Sequence, residues 1–116
     1  MAAKGFAYSA PTIDLDVYGV KAEVKAGDVA TISAIDEACA KIFELDAKSQ
    51  WDELSDILRG CIRAVVGDAA FDEALGGRAA NVIEEMELLA YIRERIAESL
   101  SGDELSSAVA RLVGKG

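Results

Sequence analysis

The chain has 116 residues, 12 basic and 21 acidic side chains, one proline, two cysteines and no histidine, which is room for one hydrophobic core and too little for two. Its net charge of −9 opposes phosphate backbones and anionic membrane surfaces unless the cations gather on one face, and the twelve run from Lys4 to Lys115 without clustering. Without histidine, and with no nucleophile set beside a base, most of the usual routes to enzyme chemistry are closed. The expectation is a non-enzymatic protein that binds other proteins, with no catalytic residue, cofactor or metal, no nucleic acid and no membrane partner.

Residues 1–10 show no clear period and read as a loose arm. From Thr12 the period is two: Ile13, Leu15 and Val17, then Val20, Ala22 and Val24, alternate with polar residues, which predicts a hairpin over 12–25. Pairing Val17 with Val20, Leu15 with Ala22 and Ile13 with Val24 puts all six apolar residues on one face and Asp16 opposite Lys21. That phase requires a connection of two or four residues around Tyr18-Gly19, and the poor fit of tyrosine to a positive φ favours the wider turn.

A hairpin alone is marginal in water, so its apolar face must lie on helices, which fill 28–113. The first is expected from an Asp28 N-cap to about Ala47, with Val29, Ile32, Cys39, Ile42 and Phe43 inward. In the second, Trp51, Leu54, Ile57, Leu58, Cys61, Ile62, Val65 and Val66 recur in steps of three and four opposite Asp52, Asp56, Arg59 and Arg63, with Ser49 and Asp52 as a capping box and Trp51 as a core anchor. Gly67 stops it, and a short helix from Asp68 to Leu75 ends at Gly76-Gly77. A long helix then runs from Asn81, with Glu84 as its capping partner, to about Leu100, and its apolar stripe is Val82, Met86, Leu89, Ile92, Ile96 and Leu100. A final helix carries Leu105, Ala108, Val109 and Leu112 and stops at Gly114. The fold class is therefore mainly α: an N-terminal β-hairpin packed on a bundle of about four to five helices, one domain over 1–116.

Several groupings carry residue types capable of chemistry. Asp14 and Asp16 face the same way on a strand, but Lys21 and Lys25 opposite them make a solvated, charge-balanced face the better account. Glu84, Glu85 and Glu87 resemble helical di-metal carboxylates, yet such sites add histidine, so a solvated face near a helix N-terminus is expected. Gly76-Gly77-Arg78 lacks the spacing of a phosphate loop and reads as a helix stop. Arg93 alone breaks its pattern. It lies opposite Glu84 around the helix, amid Met86, Leu89, Ala97 and Leu100, and either snorkels at the core edge or marks a protein contact surface, where arginine is enriched. Arg93, Met86, Leu89 and Glu84 are the candidate partner-binding residues.

No stretch approaches about 18 uninterrupted apolar residues, and the first residues lack the apolar run of a signal peptide. The cytosol is the expected compartment, with Cys39 and Cys61 reduced on the apolar sides of their helices.

The order of elements, with Gly67-Asp68-Ala69-Ala70-Phe71-Asp72-Glu73-Ala74-Leu75-Gly76-Gly77-Arg78 leading into Asn81 and a long acidic helix, resembles the small tail assembly chaperones of long-tailed, siphovirus-type bacteriophages and prophages. The likeness covers about 40 residues well and the hairpin loosely, and Leu75 stands where that family would have an aromatic residue. The resemblance implies a role in the bacterial host cytosol: binding the helical tape measure protein, keeping it soluble and recruiting tail tube subunits, with self-association left open. It also implies two product lengths from a backward ribosomal slip, and Val113-Gly114-Lys115 permits a slippery codon run. The alternative is an acidic helical adaptor or antitoxin-like regulator that masks a basic partner protein.

Overall fold

A computed structural model describes residues 5–8, 11–25, 27–45, 50–100 and 103–114. In chain order these form β1 (Thr12–Val17), β2 (Val20–Lys25), α1 (Val29–Glu44), α2 (Trp51–Val66), α3 (Asp68–Leu75), α4 (Val82–Leu100) and α5 (Asp103–Leu112). The chain is mainly helical with one N-terminal antiparallel hairpin, as the two periodicities predict.

The strands pair in the predicted register, Ile13 with Val24, Leu15 with Ala22, Asp16 with Lys21 and Val17 with Val20. Ile13, Leu15, Val17, Ala22 and Val24 are buried, because this face lies on α2, α3 and α4. The turn differs from the expectation. It has two residues, with Tyr18 at φ 53° and Gly19 at φ 85°, the pair of positive φ values of a type I′ turn. A left-handed tyrosine costs about 1–2 kcal/mol, and contacts remote in sequence offset it. The Tyr18 hydroxyl donates to the Glu84 carboxylate, and its ring lies under the Arg78 guanidinium, 5.6 Å from the centroid. The Gly19 N–H also donates to Asp16 Oδ1 at 2.7 Å, closing the turn locally. At the outer edge of β1 the Asp16 N–H donates to the Tyr91 hydroxyl (3.1 Å), so α4 supplies a partner that the sheet lacks.

Asp28 caps α1 by position, in extended geometry, although its carboxylate accepts from the Thr31 hydroxyl (2.8 Å) rather than from a backbone N–H. The helix ends at Glu44, short of the expected Ala47, where Leu45 turns extended. Its fully buried residues are Ile35 and Ala38, whereas Val29 and Phe43, expected inward, are exposed, Phe43 to 90%. At 100° per residue these two sit about 80–120° around the helix from Ile35, off the side that meets α2.

α2 follows its predicted stripe, with Leu54, Leu58, Cys61 and Ile62 buried. Trp51 is not the anchor expected of it. It is 51% exposed, because the first turn of α2 lies at the margin of the bundle and Leu54 is the first residue fully covered. Ser49 falls outside the described residues; Gln50 stands in the cap position, and its Nε2 donates to Glu53 (3.1 Å). Gly76, left-handed at φ 61°, ends α3, whose Phe71 is the residue it buries. The predicted cap of α4 is present in both halves: the Ile83 N–H donates to Asn81 Oδ1 (2.8 Å) and the Asn81 N–H to Glu84 Oε1 (3.1 Å).

The largest departure from expectation is Glu85, read as part of a solvated acidic face and found 0% exposed. With Leu89, Ile92 and Ile96 it forms the buried stripe of α4. Ser55 Oγ donates to its Oε1 (2.7 Å) and Arg59 Nε to its Oε2 (3.3 Å), so both partners come from α2. A buried carboxylate persists only with such partners.

Cavities along the helix seams fix their directions. Ile32 and Ile35 lie near Ile96 and Leu100, and Cys39 and Ile42 near Met86 and Leu89, so α1 and α4 are antiparallel. The Cys61 Sγ reaches the Ala34 carbonyl while Leu58 shares a cavity with Cys39 and Ile42, so α1 and α2 are also antiparallel. α2 and α4 therefore run the same way, and α3 carries the chain back between them. α1 and α4 each pack extensively on α2 and hardly on one another.

Two predictions follow from this packing. Arg59→Ala leaves Glu85 buried without its cation, and because the Arg59 side chain is 42% exposed the cost should fall at about 2 kcal/mol, below the roughly 3–5 kcal/mol of a fully buried pair. The Arg59→Ala/Glu85→Leu double variant should be more stable than Arg59→Ala alone in urea melts; additive losses would refute the pairing. Gly60 lies inside α2, exposed, and an added Cβ there meets no atom within 4 Å. Gly60→Ala should therefore raise stability by about 1 kcal/mol, read as a higher denaturant midpoint at unchanged slope.

Candidate protein-binding groove

Because α1 and α4 lean on α2 without closing on each other, an apolar groove runs between them. Two cavities share Arg93. One, of about 290 Å³, is lined by Cys39 and Ile42 of α1, Leu58 of α2, and Met86, Leu89, Ala90, Arg93 and Glu94 of α4. The other, of about 150 Å³, is lined by Ile32, Ile35 and Asp36 of α1 and Arg93, Ile96, Ala97 and Leu100 of α4. On the wheel of α1, the exposed Val29 and Phe43 fall on the same flank as Ile32, Asp36 and Cys39.

Arg93, Met86 and Leu89, three of the four candidate partner-binding residues, meet in this groove. Leu89 is buried in its floor, while Met86 and Arg93 are exposed. Among the described residues Arg93 takes part in no ion pair. Glu84 does not join them. It faces the hairpin side of α4, where Arg78 Nη1 donates to its Oε1 at 2.9 Å and the Tyr18 hydroxyl and the Asn81 N–H donate as well. Its work is to hold the hairpin tip and the α3–α4 connection to the start of α4.

The sequence places Ala97 beside Arg93, but Ala90 and the whole α1 wall were missed by sequence reasoning. Ala90, Arg93 and Ala97 stand at i, i+3 and i+7, one face of a helix, and two small residues flanking a cation leave room for another backbone to approach. That signal was present in the sequence. The α1 wall depends on how α1 is rotated against α2 and was not.

The remaining polar clusters are internally satisfied. A cavity of about 390 Å³ beside α3 is lined by Arg59, Arg63 and Arg78, but each guanidinium has carboxylate partners. Arg59 has Glu85 and Asp56, Arg63 has Asp68 and Asp72, and Arg78 has Glu84. Arg63 also lies 4.6 Å over the Phe71 ring, and the hydrogen bonds it donates to Asp72 and then Asp68 hold it more firmly protonated than usual. Asp14 and Asp16 are exposed on the outer face of β1, and an Asp16 oxygen is committed to Gly19. Gly76-Gly77-Arg78 forms the helix stop, with Arg78 turned to Glu84 rather than to an open anion site. Burial, with Cys39 as a lesser cause, pushes the Cys61 thiol up, and its Sγ reaches the Ala34 carbonyl at 3.6 Å, the behaviour of a packed hydrophobe rather than a nucleophile.

The Glu84 cluster gives a pH prediction. Hydrogen bonds from Arg78, then Tyr18, then the Asn81 backbone hold the Glu84 carboxyl down at about 2 against an ordinary 4.5. A depressed carboxylate stabilises the fold fully above the unfolded value and loses that contribution as pH falls through the folded one. Acid titration between those two values should therefore loosen the hairpin tip, and Glu84→Gln should flatten this part of the stability profile; an unchanged profile in the variant would show that Glu84 contributes nothing. No protein-family model, curated protein or solved structure matches this chain.

Proposed function

We propose that this chain is a non-enzymatic assembly chaperone of long phage tails, whose α1–α4 groove takes an amphipathic helix of the tape measure protein. The observation that carries the reading is the groove itself: apolar walls from two helices, small residues at Ala90 and Ala97, and a central Arg93 without an ion pair among the described residues. A partner helix laid between α1 and α4 would bury its apolar face on those walls and offer a carboxylate or backbone carbonyl to Arg93. The net charge of −9 fits a chaperone that must keep a long, self-adhesive client in solution, since like-charged complexes repel. The resemblance of the Gly67–Arg78 stretch to tail assembly chaperones supplies the identity of the client and the accompanying recruitment of tail tube subunits.

Co-expression with the tape measure protein of the same genome should yield a soluble complex. Arg93→Ala should weaken that complex by about 1–3 kcal/mol while leaving the melting temperature nearly unchanged, because an exposed, unpaired arginine holds nothing in the fold. Large thermal destabilisation with unchanged binding would return Arg93 to a structural role. A gene lying between a tail tube gene and a very long tape measure gene supports the tail reading; a neighbouring small basic protein that binds instead supports the adaptor.

A further inference from the structure

We propose that the α1–α4 groove of one copy also receives α5 of a second copy, and that two copies exchange these helices reciprocally. The inference rests on reading the groove as a helix acceptor, and it adds the occupant that holds the groove before a client arrives.

α5 carries Leu105, Val109 and Leu112 at i, i+4 and i+7, one apolar stripe. All three are exposed, Leu112 to 86%, and among the described residues α5 packs extensively against no other element. The molecule is correspondingly long, 64 × 31 × 21 Å with a radius of gyration of 17.6 Å, against about 13 Å for a compact chain of this size. A helix of 10 residues standing in water is too short to be stable by itself, so its apolar stripe calls for a partner.

Size and charge select the groove. Ten residues span about 15 Å, and the α4 wall from Met86 to Leu100 spans about 21 Å, so α5 fits with room at both ends. Ala90 and Ala97 admit a close approach. Arg111 lies in the last turn of α5, about 100° around the helix from Leu112, where the rim of a two-walled groove would meet it, while Asp36 and Glu94 line the groove; none of the three forms an ion pair among the described residues. A projecting helix reaches the groove of another copy without rearrangement, and two-fold symmetry makes the same contact twice.

Sedimentation of the full chain from micromolar to millimolar concentration should show a dimer. Val109→Asp, which spoils the inserted helix, and Ala97→Glu, which spoils the groove at an exposed position, should each raise the dimer dissociation constant at least tenfold with helix content unchanged by circular dichroism. An equal mixture of the two should associate more tightly than either alone, because the intact α5 of one fits the intact groove of the other. A monomer at every concentration, as when α5 folds back on its own groove, would overturn the proposal. So would a dimer indifferent to both substitutions. Val109→Asp keeps its groove and should still bind a tape measure helix: a dimer without client binding sinks the chaperone reading alone, and client binding by a chain that is always monomeric sinks the exchange alone.

Discussion

The buried carboxylate of Glu85 sets where α4 lies. A charge removed from water is tolerated only where its partners are in place, and its two donors, Ser55 and Arg59, stand one turn apart on α2. Sliding α4 along α2 by a turn would leave an acid in the core without a donor, so this contact fixes the register of the two helices more sharply than Leu89, Ile92 and Ile96 could, since apolar side chains accept many neighbours. With α4 set, Tyr91 comes to the edge of β1 and Glu84 to the tip of the hairpin, and the loop after α3 is tied down through Arg78.

The same registration opens the groove. α4 runs parallel to α2 because α3 returns the chain, and α1 packs antiparallel on α2 beside it, with Ile35 and Ala38 buried. Two helices lying on a third without closing on each other leave a furrow, here floored by Leu58 and Leu89. The contacts of Glu84 and Tyr91 lie on the hairpin side of α4, whereas the groove side carries Arg93 and Glu94 amid apolar surface. One flank of the helix is used for stability and the other is left open, a division that fits the proposed role of holding another chain.

Both proposals for the groove involve an amphipathic helix with a charge beside its stripe, so a client and a second copy would compete for one surface. On that reading the apolar walls would stay covered when no client is present, which would add to the negative charge a second safeguard against indiscriminate association.

The hairpin and its register, the boundaries of α2, α3 and α4, the Asn81–Glu84 cap and the stripe of α5 were legible in the sequence, because each follows from spacing and local hydrogen bonding along one stretch of chain. Arg93 was legible as an oddity for the same reason: it breaks a pattern that its own helix defines. The left-handed Tyr18, the burial of Glu85, the exposure of Val29, Phe43 and Trp51, and the α1 wall of the groove were not legible, because each depends on a neighbour from elsewhere in the chain. A tyrosine adopts a positive φ when Arg78 and Glu84 receive its side chain, an acid enters the core when Arg59 and Ser55 meet it, and an apolar residue stays exposed when its helix is rotated by some 100° against its support. Periodicity gives the face a helix prefers to bury; only tertiary packing decides which of its flanks meets the core and which stays open.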